Sequence, residues 1–220
     1  MKQAAVSQVR ETLDARQQAI IPVAAFATAG DMAGLNMALN QGFDNGMSIS
    51  DAREVLVQLY AYAGFPRSLN ALGELMKVVE ARKGRGVEDE PGREPSRPAP
   101  KGDALLAAGT ENQTRLSGAP VAGPLFQFAP VANEYLRTHL FGDIFERDNL
   151  DWQSRELATV SMLSALPGAE AQLQAHMRMS MNTGVSAEQL RHLTQVLAER
   201  VSVETSRRAS AALERQLTSK

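Results

Sequence analysis

The chain has 220 residues, of which 44% are hydrophobic and 22% charged, with a formal net charge of −2. That balance suits a globular protein able to bury one large core or two small ones, and it offers no electrostatic case for nucleic acid or an anionic membrane. There is no cysteine, which excludes a thiol nucleophile, a thiol peroxidase, a disulfide and a thiolate metal site.

No apolar run reaches the length of a membrane span, and the polar opening "MKQAAVSQVRETLDARQQ" has no apolar signal core. The expectation is a cytoplasmic protein with neither membrane nor nucleic acid as partner. The three histidines, His139, His176 and His192, show no HxH or HxxxH pair. No metal site is therefore expected.

Periodicity is helical nearly throughout, so the fold class is all-α. Residues 13–29 read as a buried helix with Asp14 as a plausible cap, and Pro22 inside it predicts a kink or an early start. Gly30-Asp31 breaks the chain, and "MAGLNMALNQGF" follows as a short helix ending near Gly42. "SISDAREVLVQLYAYA" comes next, with Ser50 or Asp51 as the cap. Then "YAYAGFPRSLNA" interrupts itself: Gly64 tolerates positive φ and Pro66 fits only the first turn of a new helix. "RSLNALGELMKVVEARK" continues as an amphipathic helix through Leu69, Leu72, Met76 and Val79.

Residues 84–102 change character, with four prolines and four glycines. Such a stretch has little to bury and reads as a linker or exposed loop. Beyond it come the polar strip "GTENQTRLSG" and the helix "APVANEYLRTHLFGDIF". Four more helical segments follow: "LDWQSRELATVSMLSAL", "AEAQLQAHMRMSMNTG", "SAEQLRHLTQVLAERV" and "ETSRRASAALERQL".

The halves repeat each other. "RQQAIIPVAAFATAGD" lines up with "SRELATVSMLSALPGAE", and "GMSISDAREVLVQL" with "GVSAEQLRHLTQVL". The expected organisation is one unit over residues 1–83, a joint over 84–102 and a second unit over 103–220.

"HLFGDIFERDNLDWQSRELATVSMLSAL" followed by "LQAHMRMSMNTGVSAEQL" resembles the carboxymuconolactone decarboxylase family. "GTENQTRLSG" is similar to the Arg-containing opening segment of those enzymes, and "EVLVQLYAYAGFPRSLNA" to their Tyr-x-Gly-x-Pro segment. The resemblance implies a duplicated helical unit of the alkylhydroperoxidase D-like kind, without the cysteine pair of the peroxidases. It also implies a homo-oligomer, a trimer or larger for a duplicated chain. The implied activity is decarboxylation of a small carboxylate or lactone without a cofactor.

Such chemistry needs a held carboxylate, a donor for the enolate oxygen and a proton delivered to carbon. The resemblance implies His176 for the proton, Glu156 to fix its imidazole, and Arg115 or Arg155 to clamp the substrate. The second half keeps Arg155, Glu156 and His176 but has "AERVSVETS" in place of the turn. The first half keeps the turn but has Gln18 and Ala38 where the glutamate and histidine would stand. Each half is thus expected to supply what the other lacks, with Tyr60 or Tyr62 and Arg67 lying near His176 and Glu156. Tyr60 and Tyr62 cannot point the same way on one helix, so at most one faces a pocket. The other reading is a non-catalytic helical assembly or binding protein, in which His176 and Glu156 are packing residues.

Overall fold

A computed structural model describes residues 12–219, and among these the chain is helical with no strands. The first helix, α1 (Ala15–Ala29), starts where Asp14 accepts from the Gln17 amide and the Gln17 side chain answers the Asp14 amide. Such reciprocal capping satisfies two amides that a helix start leaves unpaired. Helix α1 runs on through Pro22, which is buried within it. Packing on all sides offsets the backbone bond that proline removes. Ile20, Ile21, Val23, Ala24, Ala25 and Ala27 are all fully covered.

Gly30, at φ 75°, ends α1, and Asp31 caps α2 (Met32–Asp44). Helix α3 (Ile49–Gln58) is capped by Ser48, with Asp51 as the third-position partner. The cap therefore falls before both residues expected from the sequence. Helix α4 spans Tyr60–Gly84 and is broken at Gly64, whose φ of 81° and ψ of 162° no helical residue adopts. The Gly-Phe-Pro interruption is real, and Ser68 just beyond it ties back to the Leu56 carbonyl at 2.7 Å.

Residues 85–102 carry no regular helix but are held down. Ile49 and Ser50 donate their amides to the Glu90 and Pro91 carbonyls at 2.9 and 3.0 Å. Asp148 then accepts from the Ser96 amide and hydroxyl at 2.8 and 2.6 Å.

Helix α5 (Asp103–Ser117) includes most of the polar strip, "GTENQTRL". A short helix, α6 (Pro124–Phe128), comes next, and the helix expected over 129–145 is divided into α7 (Pro130–Tyr135) and a π-helical stretch, Leu136–Ile144. Gly109 explains how closely α5 packs there. A β-carbon on it would lie 1.8 Å from the Arg137 carbonyl oxygen. Gly109→Ala must push two backbones apart, and about 2 kcal/mol of stability should be lost, read as a lower urea midpoint.

Helices α8 (Trp152–Ser164), α9 (Glu170–Asn182), α10 (Ala187–Arg200) and α11 (Val203–Thr218) complete the chain. They repeat α1 to α4 in a constant register. Gly30 and Gly168, Gly46 and Gly184, and the caps Ser48 and Ser186 all stand 138 positions apart. The glycine pairs share positive φ, and both serines sit in the same reciprocal capping arrangement.

The central pair is α1 against α8. Ile20, Val23 and Ala24 share one core with Ala158 and Met162 of α8. Ile21 and Ala25, on the next face of α1, share a second core with Leu157, Val160 and Leu163. Each fully buried isoleucine or leucine contributes about 2 kcal/mol, and each half closes its core with side chains from the other. A third cluster gathers Leu116, Leu140, Phe141, Ile144, Phe145 and Met179 beneath α5.

Candidate active site

Two helices bring the expected pair together. Glu156 lies in α8, where every residue from Ser154 to Ser164 is buried, and His176 faces it from α9. His176 Nδ1 stands 2.8 Å from Glu156 Oε2. The carboxylate is wholly covered, whereas 8% of the imidazole side chain remains exposed. Among the described residues, His176 Nε2 makes no hydrogen bond and is not one of the fully buried unpaired atoms. The other carboxylate oxygen, Glu156 Oε1, is buried with no hydrogen-bond partner. The carboxylate thus fixes one ring nitrogen and leaves the other toward the exterior.

The third member comes from the first copy. Tyr62, on α4 just before the Gly64 break, meets the His176 ring edge-on, with centroids 5.6 Å apart and planes at 79°. Its ring packs against all three clusters. Its hydroxyl lies 3.3 Å from the Thr159 hydroxyl, which donates. Burial, and after it the Glu156 charge, push the phenol well above its ordinary pKa. Tyr62 therefore stays neutral and keeps an O–H to donate.

The remaining candidates lie elsewhere. Tyr60 stacks on Phe65, rings 4.5 Å apart and nearly parallel, so the tyrosine at the His176 ring is Tyr62. Arg67 lies on Gly30, where a β-carbon would fall 1.3 Å from its Nη1. There its charge meets the carbonyl end of α1. Arg155 is fully buried inside the scaffold. It donates to Glu54 at 3.1 Å, to Gln58 at 3.2 Å and to the Arg147 carbonyl at 2.8 Å. A substrate clamp must be reachable, and this guanidinium is not.

Arg115 is exposed and lies over the Trp152 ring, 4.6 Å from its centroid. It borders a cleft of about 130 Å³ with Leu116, Trp152, Asn182 and Thr183. Trp152 is one helical turn before Glu156 on α8, so this cleft opens at the ends of the helices that carry the pair.

Sequence reasoning missed the layer beneath. Gln58 donates to the Arg155 carbonyl and the Thr159 hydroxyl at 3.0 and 2.7 Å. Glu54 accepts from Arg147 at 2.9 and 2.6 Å as well as from Arg155. The signal was present as polar pairs at i, i+4 on two apolar helices: Glu54 with Gln58, and Arg155 with Thr159. His192 accepts from the Leu13 amide at 3.0 Å, and His139 pairs with Asp143 at the surface. Among the described residues no three histidine or carboxylate side chains gather as metal ligands would, and no helix is long and apolar enough to cross a membrane.

Fold and site together define an internally duplicated all-helical protein whose buried imidazole–carboxylate pair in one copy is closed by a tyrosine from the other. The sequence pattern of the carboxymuconolactone decarboxylase family matches residues 1–76 and 130–215, and the chain belongs to that family. Both members of the pair and Tyr62 fall inside the matched stretches, whereas α5 and Arg115 fall outside them. No curated protein matches the chain.

Proposed function

We propose that this protein is a cofactor-independent decarboxylase, or a related lactone or keto-acid enzyme, acting on a small carboxylate. The observation that carries this reading is the 2.8 Å His176–Glu156 contact, buried except for the imidazole edge. Decarboxylation breaks one carbon–carbon bond, releases carbon dioxide and leaves its electron pair on an enolate. A donor at the enolate oxygen lowers that charge, and Tyr62 is the neutral O–H beside the imidazole. His176, protonated, then gives its Nε2 proton to carbon and regains one from water. Glu156 stabilises the imidazolium and fixes the ring. Arg115, beside the helix ends, holds the substrate carboxylate. Tyr60, Arg67 and Arg155 have no part in this chemistry.

The proposal includes self-association. Phe65, Leu69 and Met76 are exposed on α4, and Leu72 and Val79 continue their stripe at helical spacing. Apolar stripes of this kind mark contact surfaces, and a trimer or larger species is the assembly proposed.

A second reading, a helical assembly that binds without turnover, is favoured by how little of the imidazole is exposed. One experiment separates the two. The purified chain, given a γ-carboxylactone in deuterated water, should release carbon dioxide and place one deuterium in the product. A panel of carboxylactones and keto acids that yields neither would leave the second reading standing.

A further inference from the structure

The register that relates the helices also relates two sets of side chains. Glu156 corresponds to Gln18, His176 to Ala38, and Tyr62 to Arg200, each pair 138 positions apart. In the second copy, Tyr62 from the first closes on His176. In the first copy, Arg200 from the second reaches Gln18, its Nη2 3.3 Å from Oε1. Each copy thus lends the other a residue from the end of its third helix or just beyond it.

The two positions differ in what fills them. An imidazole occupies one. In the other, Ala38 ends at its β-carbon, and a cleft of about 250 Å³ lies there, lined by Pro22, Phe26, Met37, Ala38, Glu199 and Arg200 among others. We infer that this cleft is a second, non-catalytic binding site for a small planar monocarboxylate.

Phe26 and Pro22 supply flat apolar surface, and Met37, exposed at the edge, supplies a flexible thioether that adapts to a planar ligand. Arg200 makes no ion pair among the described residues, so guanidinium donors remain for a carboxylate. Glu199 on the same rim repels a second negative charge, which selects one carboxylate over two. Neither Gln18 nor Ala38 can carry a proton, so a ligand held here is bound and not converted. The inference does not depend on the activity proposed for His176.

Benzoate is the probe, with benzamide as its neutral counterpart, titrated into the 220-residue chain by calorimetry. The Met37 methyl resonance locates the binding. Benzoate should bind saturably and shift that resonance. Benzamide, and benzoate with Arg200→Ala, should each bind about tenfold more weakly. Met37→Glu, a change at an exposed position, should weaken benzoate by a similar factor without touching the Arg200–Gln18 contact. His176→Ala should leave benzoate affinity unchanged. The inference is overturned by any of four results: no saturable binding, heat without a Met37 shift, equal affinity for benzamide, or binding that survives Arg200→Ala but disappears with His176→Ala.

Discussion

His176→Ala will lower turnover of the decarboxylation substrate by about a hundredfold to ten-thousandfold, the range that a positioned proton carrier supplies. The substitution has a second effect. With the imidazole gone, both oxygens of Glu156 are buried without a partner, since Oε1 already lacks one. An isolated buried carboxylate costs several kcal/mol or takes up a proton. The single variant should therefore melt earlier than the wild type as well as lose activity. Adding Glu156→Gln to it removes the stranded charge, and the double variant should recover stability while staying inactive. Glu156→Gln alone keeps a group able to hydrogen-bond Nδ1 but not the charge that stabilises the imidazolium. Its rate should fall between wild type and His176→Ala. Wild-type turnover in folded His176→Ala would remove the histidine from the mechanism.

What could be read in advance divides by range of contact. Asp14 and Ser186 cap their helices through side chains only three residues away, so the sequence carries those starts. Ser48, Ser50 and Asp51 are all competent caps, and the choice is made from far along the chain. The Glu90 and Pro91 carbonyls take the Ile49 and Ser50 amides, which fixes those residues as the first turn.

The site divides in the same way. Glu156 and His176 were legible because the sequence resemblance pointed to both, and the fold brings them together. Arg155 beside Glu156 looked equally available. What decides its role is Glu54, 101 positions away, which draws the guanidinium into the interior. Between Tyr60 and Tyr62 the sequence fixes only that they diverge. The phase is set by where α3 ends and by the break at Gly64, and these turn Tyr62 to the imidazole and Tyr60 to Phe65.

Glu54→Ala will be the most damaging substitution for the fold. Glu54 is 1% exposed and holds two guanidinium groups, one of which, Arg155, is wholly buried. Burial alone would raise the carboxylate pKa, but hydrogen bonds from Arg147 and Asn149 and the Arg155 charge prevail and hold it at about 2, against an ordinary 4.5. Burial conversely pushes Arg155 down, and Glu54 is the first influence opposing that. Removing Glu54 strands the Arg155 charge, a loss of about 3–5 kcal/mol. That is much of the roughly 5–15 kcal/mol that holds a typical domain together. Arg147 is partly exposed and can turn to water, so the damage centres on Arg155.

The pH dependence follows from the same pair. A carboxylate whose folded pKa is depressed stabilises the fold above its unfolded pKa and ceases to as pH falls through the folded one. Wild-type stability should therefore fall between about pH 5 and pH 2 by on the order of 3 kcal/mol from this group. Glu54→Gln should flatten that part of the curve, because it leaves no proton to take up. Glu54→Met with Arg155→Met removes both charges together and should regain part of what Glu54→Ala loses, since apolar side chains of similar size can replace a buried ion pair. Urea midpoints for the four chains from pH 7 to pH 3 make the test. If Glu54→Ala lies within about 1 kcal/mol of the wild type, the buried pair does not organise the α3–α8 contact.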